Sequence, residues 1–116
     1  MKIFIRTFGC TLNQSDSELM AGILSKAGHE LVNDLSKAEL VLFNSCTVKD
    51  KAEKRFFSEI KEAIASGNKV VAAGGVPALP QHAVRGEPPL AAAVRDRLPH
   101  RCRWPLALVD RPAELP

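Results

Sequence analysis

Tyrosine is absent from this chain, tryptophan occurs once, and aromatic residues make up only 5% of its 116 positions. A platform of exposed rings on which bases could stack is therefore not legible. Long apolar runs are missing as well. No stretch approaches the roughly 20 residues that a membrane-spanning helix needs, so no membrane association is expected. The opening Met1-Lys2-Ile3-Phe4-Ile5-Arg6 passes into Thr7 and Gly9 without the apolar run of a secretory signal. The expected location is cytoplasmic. Charge is nearly balanced, with 16 Lys and Arg against 13 Asp and Glu for a net +3. That balance is compatible with RNA contact and does not demand it. Cysteine is scarce: Cys10, Cys46 and Cys102 are the only three. An odd number without a secretory signal speaks against a disulfide framework. It leaves two readings, small buried hydrophobes or members of a site.

The chain changes style along its length. All 8 prolines lie between Pro77 and Pro116, and every lysine lies at or before Lys69. Beyond Lys69 the basic side chains other than histidine are all arginines, and Trp104 also falls in this part. Two regions are expected: a folded domain over residues 1–81 and a Pro- and Arg-rich tail over 82–116. The tail reads as a linker, a disordered segment or the product of a shifted reading frame, the last being favoured. One helix is expected in it, over residues 89–98, with proline in its first turn.

The first region alternates strands and helices. Ile3 to Phe8 is β-branched and aromatic and is closed by Gly9, which predicts a strand. Ser15 and Glu18 have the spacing of a capping box and predict a helix start. Leu19, Met20, Ile23, Leu24 and Ala27 follow at helical spacing, and Gly28 is the expected stop. Glu30 to Val32 reads as a short strand and Leu40 to Phe43 as a strand buried on both faces. Thr47 with Asp50 predicts a second cap. The stripe Ala52, Phe56, Ile60, Ala63 and Ile64 predicts the helix behind it, ended by Ser66-Gly67-Asn68. Lys69 to Ala73 is a further strand. The expected fold is α/β: a small, open, mostly parallel sheet flanked by helices in a Rossmann- or flavodoxin-like three-layer arrangement, with an irregular C-terminal tail.

Open parallel sheets bind ligands at the carboxyl ends of their strands. Cys10 follows the first predicted strand, and Cys46 follows the strand ending at Phe43. Both are expected on one edge of the sheet, where core filler is a poor explanation for them. Cys46 also precedes a predicted helix cap, and the positive end of a helix dipole favours thiolate. Thiolate is the form that ligates iron in iron–sulfur clusters. The matching position after the last strand is Gly75.

Three segments at these strand ends carry a family resemblance. Arg6-Thr7-Phe8-Gly9-Cys10-Thr11-Leu12-Asn13-Gln14-Ser15-Asp16-Ser17-Glu18 resembles the opening motif of the tRNA methylthiotransferases. Asn44-Ser45-Cys46-Thr47-Val48-Lys49 resembles their second cysteine motif, in the wording of the archaeal and eukaryotic branch. Lys69-Val70-Val71-Ala72-Ala73-Gly74-Gly75-Val76-Pro77 resembles the third, which normally carries cysteine where Gly75 stands. The resemblance covers about the first 81 residues. It implies an N-terminal domain of radical S-adenosylmethionine enzymes that methylthiolate N6-threonylcarbamoyladenosine at position 37 of tRNA. It also implies an auxiliary [4Fe–4S] cluster held by three cysteines, of which Cys10 and Cys46 would be two. Asn13 and Asn44, beside those cysteines, are candidate cofactor contacts.

The departures define further expectations. Gly75 cannot ligate iron, so two thiolates should hold a cluster weakly or not at all. Cys102, His82 and His100 are the remaining side chains in the tail that could substitute, and metal sites restrict ligand placement closely. No Cys-x3-Cys-x2-Cys run exists in the chain. A radical cluster and S-adenosylmethionine are therefore expected only in full-length relatives, and this chain is expected to be inactive alone, with tRNA and a catalytic radical partner as its implied associates. Asp16 and Glu18 read equally as site residues or as helix-start solvation. Asn44 and Ser45 read as residues that orient the Cys46 loop through hydrogen bonds to the backbone. Lys49, Lys51, Lys54 and Arg55 read as a solvated helix face. Two alternatives stay open: a thiol redox module that uses Cys10 and Cys46 as a pair, and a non-catalytic remnant or interaction domain.

Overall fold

The computed structural model describes residues 1–8, 11–45, 50–73, 84–85, 90, 94, 96–97 and 106–109. Strands β1 (Lys2–Phe8), β2 (Glu30–Leu31), β3 (Leu40–Ser45), β4 (Lys69–Ala73), β5 (Val84–Arg85) and β6 (Leu106–Val109) form one sheet in the order β2-β1-β3-β4-β6-β5. Strands β2, β1, β3 and β4 run parallel. Strand β6 is antiparallel to both β4 and β5. Helix α1 (Thr11–Lys26) connects β1 to β2, and helix α2 (Asp50–Ala65) connects β3 to β4. The expected mostly parallel α/β sheet is therefore present.

Side-chain alternation along the strands builds the three layers. Ile3, Leu40, Leu42, Val71 and Ala73 pack with Met20 and Leu24 of α1. Val41, Phe43, Val70 and Ala72 pack with Phe56, Phe57, Ile60 and Ala63 of α2. Each helix thus covers one face of the sheet, and β3, buried along its whole length, is the shared wall. Sixteen residues is enough for α1 and α2 to form four turns each.

Both helices end in the same way. Gly28 has φ 95° and Gly67 has φ 90°, a left-handed conformation that glycine alone adopts without penalty. After α1, the N–H of His29 donates to Leu24 O and that of Gly28 to Ser25 O, both at 3.1 Å. After α2, Asn68 N–H donates to Ala63 O at 3.1 Å and Gly67 N–H to Ile64 O at 3.0 Å. These are Schellman caps, at the two stops read from the sequence. A 3-10 turn, Leu35–Lys37, lies between β2 and β3, capped by the Asp34 carboxylate accepting from Ser36 N–H at 3.0 Å.

Two details differ from expectation. Helix α1 begins at Thr11, a turn ahead of the Ser15 cap. The reason is that Asp16 and Ser17 are buried: they belong to the sheet-facing stripe that continues through Met20 and Leu24, so polar side chains extend the buried face where apolar periodicity had stopped. The second detail concerns the tail, expected to be irregular. Its described residues include the unexpected β5 and β6, while Leu90, Val94, Asp96 and Arg97 are helical within the helix expected over residues 89–98, and Leu90 and Val94 pack onto the α1-side core. Val109 is 2% exposed and belongs to the α2-side core.

Candidate functional site

The strand order places a reversal of direction between β1 and β3. From β1 the chain passes through α1 to β2 on one side, and from β3 through α2 to β4 on the other. Such a switch point, at the carboxyl ends of the strands, is where open α/β sheets bind ligands. The two strands end in register there: Thr7 pairs with Asn44, and Phe8 with Ser45. Strand β4 ends one pair short of this level, with Ala73 opposite Asn44. Cys10 is two residues beyond Phe8, Cys46 directly follows Ser45, and Gly75 is two residues beyond Ala73. Cys10, Cys46, Gly75, His82, His100 and Cys102 themselves lie outside the described residues. So do Thr47 and Lys49, and Asp50 is the first residue of α2. Among the described residues no group of three or more His, Cys, Asp or Glu side chains is placed to hold a metal ion.

Beneath this edge the α1 face is polar. Thr7 Oγ1 lies 2.6 Å from Ser17 Oγ, and Asn44 Nδ2 donates to the same Ser17 oxygen at 2.9 Å. Asn44 is 0% exposed, Ser45 1%, Asp16 1% and Ser17 8%. Asn44 therefore sits with its amide committed to α1, one pair below the strand end. Asn13 belongs to the opening of α1. Ser17 and Thr7 are the residues that sequence reasoning missed. The available signal was Thr7 itself, a polar residue in an otherwise mostly apolar strand at the level of Asn44.

The α2 face of the same edge is aromatic. Phe8 stacks on Phe43 with centroids 6.2 Å apart, and Phe56 meets Phe8 and Phe43 edge-on at 5.7 and 6.0 Å. Arg6 extends this face outward. Its Nε donates to Glu59 Oε1 at 2.7 Å and its Nη2 to Oε2 at 3.2 Å, and the guanidinium lies 4.8 Å from the Phe8 centroid. The hydrogen bonds to Glu59 raise the Arg6 pKa further above its already high ordinary value. Both partners are partly solvated, so the pair fastens α2 to β1 with modest energy.

The hollows elsewhere fit a site less well. An apolar cavity of about 20 Å³ between Leu24, Leu42 and Val94 is core packing. A shallow depression of about 290 Å³, bordered by Asp34, Ser36 and Asn68, lies at the opposite end, where β3 and β4 begin. No described helix is long and apolar enough to cross a membrane.

Comparison with known proteins agrees with the motifs. The chain is 46% identical over 77 residues to a probable threonylcarbamoyladenosine tRNA methylthiotransferase of Pyrococcus abyssi, covering 66% of this chain and 18% of that protein. It is 51% identical over 76 residues to the threonylcarbamoyladenosine tRNA methylthiotransferase of Mus musculus, covering 66% of this chain and 13% of the relative. It is 43% identical over 79 residues to the tRNA-2-methylthio-N(6)-dimethylallyladenosine synthase of Methylibium petroleiphilum, covering 65% of this chain and 17% of that one. The chain thus spans less than a fifth of the length of these relatives. The pattern that defines Uncharacterized protein family UPF0004 matches residues 2–95. With the motifs, the doubly wound sheet and this match in agreement, the chain belongs to that family, the N-terminal domain of the methylthiotransferases.

Proposed function

We propose that this chain serves as the iron–sulfur-binding N-terminal domain of a tRNA methylthiotransferase acting on threonylcarbamoyladenosine, with Cys10 and Cys46 as its cluster ligands. The observation that carries the reading is the in-register ending of β1 and β3 at the switch point, Phe8 opposite Ser45. Consecutive Cα atoms are about 3.8 Å apart and neighbouring strands about 4.8 Å. Cys10 can therefore lie no more than about 7.6 Å from Phe8, and Cys46 no more than about 3.8 Å from Ser45, Cα to Cα. That short reach supports reading the two cysteines as one site at this corner of the sheet. Cys10 directly precedes the first residue of α1.

The donor set fits a cluster in part. Two thiolates are present, and Gly75 supplies no third. When bound, the cluster would offer an iron open to an incoming sulfur. The chain's own residues would supply the thiolates, and the buried layer of Thr7, Ser17 and Asn44 would hold the two ligand segments against α1. Asn13 and Asn44 remain the candidate contacts near the cofactor, Asn44 acting from beneath. The region over 82–116 adds strands to the sheet in this reading and no ligand. The relatives are named for action on tRNA; S-adenosylmethionine in longer relatives, tRNA and a radical enzyme partner are part of the proposal.

Anaerobic reconstitution with iron and sulfide tests this reading. The wild-type chain is expected to develop the broad visible absorbance of a cluster, and Cys10→Ser and Cys46→Ser should each abolish it. A colourless wild-type protein with no bound iron would refute cluster binding. Gly75 favours a second reading in that event, a dithiol pair. Free-thiol titration before and after exposure to glutathione disulfide would then show the loss of both Cys10 and Cys46 thiols together.

A further inference from the structure

The depression where β3 and β4 begin is no place for a cluster, but it has a chemistry of its own. Asp34, Leu35, Ser36, Ala38, Ser66 and Asn68 border about 290 Å³ of space, close to the lower limit of small-molecule sites at about 300 Å³. These residues come from the connection between β2 and β3 and from the turn that follows α2.

Asn68 is the unusual member. It is only 8% exposed, and no described residue hydrogen-bonds to its side-chain amide. Its backbone N–H is engaged by Ala63 O in the cap of α2. Buried amides are ordinarily paired. An amide that borders a depression without a partner points to a group received from outside the chain.

The neighbouring hydroxyls set the polarity of that group. Ser36 Oγ donates to Asp34 Oδ1 at 2.9 Å, and Ser66 Oγ donates to Glu62 O at 3.0 Å. A serine hydroxyl has one proton and two lone pairs, so both serines have only lone pairs left for a ligand. The Ser36 N–H, then the Ser36 hydroxyl, with a smaller share from nearby Lys37, hold the Asp34 carboxyl below its ordinary pKa. It is therefore ionised at neutral pH. Both Ser36 contacts fall on Oδ1, and Oδ2 accepts from no described residue. Helix α2 ends at Ala65, directly before Ser66, and the carboxyl end of a helix is the negative end of its dipole. Acceptors and negative charge thus dominate the border. Of the six side chains only the Asn68 amide has N–H groups to give. Leu35 and Ala38 add apolar surface.

We propose that this depression binds a small organic ammonium ion, whose N–H groups are received by the Asp34 carboxylate and the Asn68 amide oxygen while its alkyl part lies against Leu35 and Ala38. The proposal is independent of how Cys10 and Cys46 are read.

Amide NMR of the full, isotopically labelled chain tests it by titration with n-butylamine at neutral pH. The n-butylammonium ion should give saturable shifts confined to residues 34–38 and 66–69, with a Kd on the order of 1 mM, the affinity of a few partly solvated contacts. n-Butanol, with the same alkyl part and no charge, should not saturate them. Asp34→Asn keeps an oxygen for Ser36 and removes the charge; it should weaken binding about fivefold, the worth of an exposed charge pair. Asn68→Leu should weaken it about tenfold, the loss of a hydrogen bond to a charged group. Asn68→Asp should tighten it, a gain that damaged packing does not produce. The spectra themselves report that each variant is folded. Nα-acetyllysine amide should bind more weakly than n-butylammonium; tighter binding would overturn the assignment in favour of a protein side chain. Saturation of the same amides by Mg2+ at lower concentration would overturn it in favour of an inorganic cation. Shifts that are spread over the whole chain, or equal for amine and alcohol, would overturn the site itself.

Discussion

Replacing Phe56 tests how firmly the second helix holds the end of β1. Its ring is fully buried and touches three others: Phe8 at 5.7 Å, Phe43 at 6.0 Å and Phe57 at 5.7 Å between centroids. Truncating a buried phenylalanine to alanine costs about 3–5 kcal/mol, the sum of lost transfer energy and the cavity left behind. Edge-on ring pairs such as those with Phe8 and Phe43 account for about 0.5–1.5 kcal/mol each of that cost. Phe56→Ala should therefore remove about 4 kcal/mol. That is a large share of the roughly 5–15 kcal/mol available to a domain of ordinary stability. Phe56→Leu keeps most of the buried area and loses the ring contacts, so its cost should be about 1.5–2 kcal/mol. Urea unfolding followed by far-UV circular dichroism measures both, with the slope unchanged if only native packing is affected. A loss below about 1.5 kcal/mol for alanine, well under the usual range for a buried ring, would refute the packing argument. Leucine as costly as alanine would refute the division between burial and ring geometry.

Three further outcomes are expected. Val109→Ala removes a buried side chain of β6 and should cost about 2 kcal/mol; an unchanged urea midpoint would mean that the tail strand adds nothing to the sheet. Asp34 is held below its ordinary pKa by the Ser36 backbone N–H and then by the Ser36 hydroxyl. A depressed carboxyl contributes stability above the unfolded value, near pH 4, and loses it as pH falls through the folded value; Asp34→Ala should therefore lower the melting temperature at pH 7, with the difference from wild type closing in strong acid. Gly75→Cys places a third thiol where the related motif carries one, and should raise iron retained per chain after chelator challenge; retention equal to wild type would show that residue 75 does not reach the cluster.

Much of this fold was legible before any coordinates because local signals agreed with the global pattern. The apolar run at Leu40–Phe43, the glycines after each helix and the stripe through Phe56, Ile60 and Ala63 each correspond to an element of the structure. What escaped was encoded in polar or interrupted segments. Asp16 reads equally as a site residue or as helix-start solvation and Ser17 carries no signal of its own, yet both are buried against the sheet. Leu106–Val109 is only four residues long, lies between prolines, and pairs with a strand more than thirty residues earlier; no short-range periodicity records such a partner. The candidate site was readable as a rule about strand ends. The polar tie beneath it was not, because hydrogen bonds between Thr7, Ser17 and Asn44 depend on register and on which face of α1 turns inward.

The reversal between β1 and β3 has a mechanical consequence. The two βα units lead away from this seam in opposite directions, and each helix clasps a different side of the sheet. Whatever links the segments after β1 and β3 would act as a buckle across the halves. Loading should then be visible far from the rim, as slower amide exchange along both α1 and α2.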